Sequence, residues 1–255
     1  MIELVDVHKS FDGNEVLKGV SAVLEEGKTN LIIGQSGSGK TVLMKSVIGL
    51  HRIDSGKILY DGRDLPSMRF KQVKSLRREM GMLFQGGALF DFMTVEQNVE
   101  FPLTMFSNLI KIERERRVRE CLSRVNLKES CFRLHPSEIS GGMQKRVAIA
   151  RAIVLNPRYL FCDEPNSGLD PYSSLIIDRL IHEITEEYKM VTVINTHDMN
   201  SVMEIGDNIV FINKGTKEWQ GSSQQLLDSG NALLDDFVFA SDLFKKVKQA
   251  ARLQQ

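Results

Sequence analysis

A glycine-rich stretch that ends in a lysine and a threonine carries residue types suited to binding phosphate. It consists of Gly34, Gln35, Ser36, Gly37, Ser38, Gly39, Lys40 and Thr41. Glycines let the backbone curl so that successive N–H groups point at one anion, and a helix that starts here adds the positive end of its dipole. Lys40 can reach the β- and γ-phosphates of a nucleotide, and the Thr41 hydroxyl can bind Mg²⁺. The stretch therefore predicts a phosphate-binding loop.

Two flanking segments are needed to hold such a loop in place. Residues 31–33 before it have the pattern of a buried strand, and residues 42–49 after it have the pattern of a helix that ends at a glycine. The strand and the helix argue against an accidental glycine-rich turn. Together they predict an α/β fold.

Three further apolar runs with the pattern of buried strands end in polar side chains, namely Gln85, the pair Asp163 and Glu164, and His197. Ligands of open α/β sheets bind at the carboxyl ends of strands. Beside a phosphate loop, Asp163 predicts an Mg²⁺ site, direct or through water, and Glu164 is then free to polarise water. The alternatives are structural: Gln85 could cap a loop, a carboxylate could cap the next turn, and His197 could be a satisfied structural residue.

Two more features each allow two interpretations. Phe11, which stands before a polar turn, could belong to the core or could stack on a purine ring. Ser140, Gly141 and Gly142 open a predicted helix, either as a second anion site or as a plain N-terminal turn. Taken alone, the serine and glycines favour the turn.

Charge, apolar runs and cysteine content argue against a nucleic-acid-binding, membrane-spanning or secreted protein. Lys plus Arg and Asp plus Glu each number 33, so the formal net charge is zero and no nucleic-acid partner is expected. No apolar run approaches the roughly twenty residues that cross a bilayer, and the first residues lack the pattern of a signal peptide. Three widely spaced cysteines are typical of reduced thiols. We expect a cytoplasmic protein.

The distribution of strand-like and helix-like segments along the chain predicts its domains. Residues 1–222 form the principal domain, in which two short β-like runs over residues 2–24 come first and a helical subdomain spans about residues 86–154. Thr94 is the predicted N-cap of a helix in that subdomain. Residues 223–255 read as a helical tail, whose apolar side chains could pack on the core, a second copy or a partner, with the core as the default: Leu233, Leu234, Phe237, Val238, Leu243, Phe244 and Val247.

The order of the motifs resembles ABC-type ATPase subunits over about residues 1–222. The matching features are the phosphate loop, Gln85 (Q-loop), Ser140-Gly141-Gly142 (signature), Asp163-Glu164 (Walker B), Asp170 (D-loop) and His197 (H-loop). The resemblance implies a P-loop NTPase (RecA-like) core with an antiparallel β subdomain and an inserted α-helical subdomain. It also implies an ATP- and Mg²⁺-dependent ATPase.

The resemblance further implies a role for each matched residue. Residues 140–142 of this family close on ATP that is bound by the opposite subunit, so a homodimer with two composite sites is expected. The remaining roles are, in chain order, adenine stacking by Phe11, phosphate and Mg²⁺ binding by Lys40 and Thr41, contact with the metal and the attacking water by Gln85, Mg²⁺ support by Asp163, general base catalysis by Glu164 and γ-phosphate contact by His197.

A narrower resemblance concerns the transported substrate. Residues 84–91 and 93–99, together with Met143 where the family commonly has glutamine, look like the ATPases of MCE-type lipid transporters, including the Mla system. This implies phospholipid transport between membranes, a peripheral place on the cytoplasmic face of the inner membrane, a permease partner and a periplasmic MCE-type protein. The alternatives are another ABC system, such as a small-molecule importer or a lipoprotein-release complex, or a soluble ABC ATPase that acts on DNA or ribosomes.

Overall fold

A computed structural model of the chain describes residues 1–240, 244–246 and 248. The strands are β1 (Ile2–Phe11), β2 (Asn14–Leu24), β3 (Thr29–Ile33), β4 (Ser55–Tyr60), β5 (Arg63–Asp64), β6 (Met80–Leu83), β7 (Tyr159–Asp163), β8 (Val191–Asn195), β9 (Asn208–Asn213) and β10 (Thr216–Gly221). The α-helices are α1 (Lys40–Val47), α2 (Phe70–Arg78), α3 (Val95–Phe106), α4 (Lys111–Arg124), α5 (Gly141–Ile153), α6 (Pro171–Tyr188), α7 (Met199–Ile205), α8 (Ser223–Leu226) and α9 (Ala232–Val238).

The chain divides into two compact units. The first contains residues 1–25 and 29–68 and the described residues from 195 onward, and the second contains residues 26–28 and 69–194. No helix in the described part of the chain is both long enough and apolar enough to cross a membrane.

The first unit contains an antiparallel sheet in the order β2-β1-β4-β5, and the strand order β10-β9-β3. Strands β3 and β9 are parallel, and β9 and β10 form an antiparallel hairpin. The two short runs predicted within residues 2–24 are parts of much longer strands. Irregular pairing of β1 with β2, first between Leu4 and Val7, interrupts the alternation of apolar residues on which the prediction depended.

The second unit contains the strand order β8-β7-β6, with β6 and β7 parallel and Met80 opposite Tyr159. These strands are largely buried, which explains their continuous apolar sequence. The described chain between β6 and β7 contains helices α3, α4 and α5 and no strand. Thr94 caps α3 as predicted, since its hydroxyl accepts a hydrogen bond from the Gln97 N–H at 3.3 Å. The boundaries of a separate helical subdomain stay a prediction.

The described part of the tail packs on the first unit, as expected by default. Leu234 and Val238 are buried, and the ring of Phe237 stacks on that of Phe211 with centroids 5.4 Å apart. Leu233 is exposed. Leu243 and Val247 lie outside the described residues.

Candidate nucleotide and catalytic site

The phosphate loop connects β3 to α1 in the first unit, and its backbone demands glycine. Gly34 has a φ of 149°, and a Cβ at this position would lie 2.1 Å from the carbonyl oxygen of Ile212. Gly39 lies at the start of α1 with a φ of 107°. The N–H of Gly215, in the turn between β9 and β10, donates to the Ser38 carbonyl at 3.0 Å and so anchors the loop to the sheet.

Two buried side chains of this loop suit an anionic ligand. The Lys40 ammonium is almost fully buried and donates to the carbonyl oxygens of Gly34 (2.7 Å) and Gln35 (3.0 Å). The Ser38 hydroxyl is buried and has no hydrogen-bond partner among the described residues. A buried polar atom without a partner is costly, and a phosphate oxygen would satisfy it. Thr41 is exposed in the first turn of α1.

Two other predicted site residues also belong to the first unit. Phe11, at the end of β1, is 39% exposed, so of the two alternatives the core position is wrong and stacking on adenine stays a prediction. The Lys9 ammonium lies 5.1 Å from the centroid of its ring, and His51 contacts the ring edge-on with centroids 5.2 Å apart. His197 is exposed in the connection between β8 and α7.

The second unit brings together Gln85 and Glu164, which are 79 residues apart in sequence. The Gln85 amide Nε2 donates to Glu164 Oε2 at 3.0 Å. Glu164 has a φ of 46°, a left-handed conformation that is unfavourable for a residue with a Cβ. Such strain is often kept where it serves a site. Asp163 is the last residue of β7 and is half-buried, so its carboxylate and that of Glu164 follow directly on a buried strand.

The signature residues begin α5 in the same unit. The Ser140 hydroxyl caps this helix by accepting from the Met143 N–H at 3.3 Å, so the N-terminal turn is confirmed. A Cβ on Gly141 or Gly142 would approach described atoms no closer than 3.9 Å. Packing within the chain therefore does not require these glycines, and an anion contact remains the prediction that accounts for them.

Asp170 is the N-cap of α6. It is exposed, and its carboxylate accepts hydrogen bonds from the Ser173 N–H at 3.0 Å and the Ser173 hydroxyl at 2.5 Å. These hydrogen bonds from Ser173 lower the pKa of Asp170. The helix cap is thus its observed role, and its contact with nucleotide stays a prediction.

Lys145 and Ser167 lie beside Gln85 and were not predicted as site residues from the sequence. Lys145 Nζ donates to the Gln85 carbonyl oxygen, and the Ser167 hydroxyl donates to the same oxygen at 3.1 Å. The only signal available from the sequence was a lysine three residues after the signature glycines. Together these residues line a cavity of about 480 Å³ with Gly141.

The comparison with known proteins agrees with this arrangement. The family described as "ABC transporter" matches residues 17–167. The methionine import ATP-binding protein MetN 2 of Pseudomonas entomophila is 36% identical over 225 residues, covering 87% of this chain and 67% of that protein. The probable ribonucleotide transport ATP-binding protein mkl of Mycobacterium bovis is 36% identical over 239 residues, covering 93% of this chain and 66% of that protein.

Solved structures resemble the chain over most of its length. A dimeric post-hydrolysis state of the ATP-binding cassette MJ0796, bound to ADP and Pi, is 30% identical with a TM-score of 0.78, covering 88% of this chain and 99% of that one. The protein cbiO1 of Clostridium perfringens, part of the ABC transporter complex cbiONQ, is 28% identical with a TM-score of 0.83, covering 99% of this chain and 98% of that one. The chain belongs to the ABC transporter family, as an ATP-binding subunit with ATPase activity.

Proposed function

We propose that two copies of this chain form the ATP-driven motor of a membrane transporter. One observation carries the proposal: the segment 84–90 places the Gln85 side chain on Glu164 and lines a groove of about 710 Å³ with Phe84, Ala88 and Phe90. A single short segment thus connects the proposed general base with a surface that a partner can occupy. Cassettes in the solved relatives are dimeric or part of a transporter complex.

The proposed reaction follows from the chemistry of the residues. Phe11 stacks on adenine, the loop N–H groups and Lys40 hold the phosphates, and His197 contacts the γ-phosphate. Glu164 accepts a proton from the attacking water, whose oxygen bonds to the γ-phosphorus as the bond to the bridging oxygen breaks, giving ADP and phosphate.

Thr41, Gln85 and Asp163 each carry a side-chain oxygen, the ligand type that Mg²⁺ prefers, and we propose them as the residues that would hold this ion, which would supply neutralising charge at the phosphates. Among the described residues no group of three or more His, Cys, Asp and Glu is arranged to hold a metal. A site completed by the phosphates of ATP requires no such group.

The catalytic set of one copy is proposed to be incomplete. Ser140, Gly141 and Gly142 of each copy close on ATP held by the other, and the open space at both glycines supports this role. ATP then joins the copies, and its hydrolysis releases them.

The domain limits belong to the same proposal: residues 1–222 form the ATPase domain, with a helical subdomain at about 86–154, and residues 223–255 form a tail that contacts the second copy. Unchanged ATP-driven dimerisation after deletion of residues 231–255 would argue against that contact.

The groove indicates the chemistry of the membrane partner. Its lining combines phenylalanine rings with cationic side chains, namely Phe70, Phe84, Phe90, Phe101, Phe106, Lys74, Arg77, Arg78 and Arg151, and none of the described residues that line it is acidic. Apolar rings favour an amphipathic helix, and the cations favour carboxylates on it. We therefore assign the groove to a cytoplasmic segment of the permease that carries both, which would hold the chain at the inner face of the membrane.

The cargo we propose is phospholipid, moved with an MCE-type periplasmic protein. The supporting observations are the sequence of residues 84–91 and Met143, which resemble the ATPases of MCE-type systems. Small-molecule import is the second candidate, because relatives at 36% identity are named for the import of methionine and the transport of ribonucleotides. Those relatives are longer, since the chain covers between 66% and 75% of them.

The experiment that tests this proposal is a pull-down in mild detergent with tagged Glu164→Gln, which should retain bound ATP and its partners. Recovery of an integral membrane permease with an MCE-domain protein and phospholipid is the expected result. Recovery of a permease without an MCE-domain protein and without phospholipid would support the role as a transporter motor and would refute the lipid cargo. Ribosomes or DNA in place of a permease would refute the transport function, and wild-type chain prepared in parallel controls for effects of the substitution.

A further inference from the structure

Lys145 of helix α5 is a buried cation that contacts Gln85, the residue whose side chain donates to the proposed general base Glu164. Lys145 is 7% exposed, and its ammonium donates to the Gln85 carbonyl oxygen. It also lies 3.5 Å from the Ser167 hydroxyl, which donates to the same carbonyl at 3.1 Å. The main chain of Gln85 is therefore held by two donors.

Hydrogen bonds close a ring around Glu164. On one side, the Gln85 side chain donates to the Glu164 carboxylate at 3.0 Å. On the other side, the Ser167 N–H donates to the Glu164 carbonyl at 3.2 Å. Lys145 contacts both arms of this ring, although it does not touch the carboxylate through any hydrogen bond found among the described residues.

The same loop is held at its far end by Arg151. Its guanidinium donates to the carbonyl oxygens of Gly87 (2.6 Å) and Ala88 (2.7 Å) and lies 5.9 Å from the Phe90 ring centroid. Ala88 has a φ of 46°, which is unfavourable for a residue with a Cβ. A loop with such a backbone needs external support, and α5 supplies it at both ends.

Burial of an ammonium group costs free energy, so the buried position of the Lys145 ammonium requires a compensating interaction. Burial lowers the pKa of Lys145, which reports the cost of keeping it charged there. The charge-assisted hydrogen bond to Gln85 is the interaction that only a cation at this position can provide.

We infer that Lys145 is a positioning residue for hydrolysis, which fixes the main chain of Gln85 so that its amide orients the Glu164 carboxylate. The inference rests on the proposed role of Glu164 as general base. Because segment 84–90 also lines the groove, the same hydrogen bonds give an occupant of the groove a physical connection to the base.

The test compares Lys145→Met and Lys145→Arg, with the exposed lysine substitution Lys111→Met as the control for loss of charge. We expect kcat for ATP hydrolysis to fall at least about tenfold in Lys145→Met, since misplaced catalytic groups cost about that much or more. KM should stay within about twofold, because the phosphate loop is intact. Amide hydrogen exchange of residues 85–88 should become faster, and Lys145→Arg should recover most of kcat.

Wild-type kcat and unchanged exchange in Lys145→Met would overturn the inference, as would equal damage to kcat and KM without faster exchange. If Lys145→Met does not fold, Lys145→Gln removes the charge but keeps a polar side chain, and a normal kcat with unchanged exchange of residues 85–88 in that variant would overturn it. Failure of the proposed base is recognised separately. In that case Glu164→Gln hydrolyses ATP normally, whereas the exchange difference at residues 85–88 persists.

Discussion

Asn98, in α3, secures the loop that enters this helix beside the groove. The side chain is fully buried, and its Oδ1 accepts from the Phe90 N–H at 2.8 Å. Its Nδ2 donates to the carbonyl oxygens of Phe90 (3.1 Å), Met93 (3.2 Å) and Thr94 (3.0 Å). Substitution of Asn98 by alanine removes all of these interactions and leaves their partners without the amide.

The expected loss of stability follows from these partners. A hydrogen bond contributes about 1 kcal/mol net, and each group left buried without a partner costs about 1–3 kcal/mol. We therefore expect Asn98→Ala to lower the free energy of unfolding by roughly 3 kcal/mol. For a chain of this size that corresponds to a decrease in Tm of about 6–12 °C. Because Phe90 lines the groove, affinity for the proposed permease segment should fall as well.

Thermal unfolding followed by circular dichroism measures the effect. The matched control is Gln97→Ala, which removes the adjacent but exposed amide that caps the same helix through the Thr94 N–H at 2.9 Å. Loss of an exposed cap costs about 1 kcal/mol, so this control should change Tm much less. A Tm for Asn98→Ala within about 2 °C of wild type, or equal decreases in both variants, would refute the reasoning.

Three further predictions concern the rest of the chain. Gly34→Ala should weaken ATP binding at least about tenfold in a fluorescent-nucleotide assay, since its Cβ would lie 2.1 Å from the Ile212 carbonyl oxygen. Gly37→Ala is strained by its φ of 77°, but apart from its chain neighbours its Cβ would meet no described atom within 4 Å, so its loss should be smaller, and equal losses in the two variants would contradict this. The hydrogen bond to Glu15 raises the pKa of His8. The protonated His8 ring should therefore stabilise the folded protein below pH 6.5, and this contribution should be lost as the pH rises through the pKa of His8 in the folded state. An NMR titration that gives a pKa of 6.5 or less for the ring would disprove it. Iodoacetamide should label Cys131 first, because burial raises the pKa of the other two thiols, and equally fast labelling of all three would contradict the structure.

Local sequence patterns were enough to predict the parts of the site that are built locally. The phosphate loop, the Ser140 cap and the polar ends of the strands each depend on residues within one strand, turn and helix, where backbone geometry restricts the residue types. The lengths of β1 and β2 were underestimated because irregular pairing breaks the period-two pattern.

Contacts between distant residues could not be predicted in the same way. The Gln85–Glu164 hydrogen bond joins residues 79 apart, and the Lys145–Gln85 hydrogen bond joins residues 60 apart. Lysine at a helix position is most often solvated, so nothing in the sequence of α5 marks Lys145 as buried. The groove likewise collects phenylalanines from α2 and α3 and from the segment after β6, which only the tertiary fold brings together.

The central claim, that Glu164 is the general base, is tested most directly by ATP turnover of Glu164→Gln at saturating ATP, with binding measured in parallel. The substitution preserves the shape of the side chain and an oxygen that can accept from Gln85. Turnover slower by about 10² to 10⁴, with ATP binding retained, is the predicted result, and it corresponds to about 3–5 kcal/mol in the barrier. Near-normal turnover with normal binding would contradict the account.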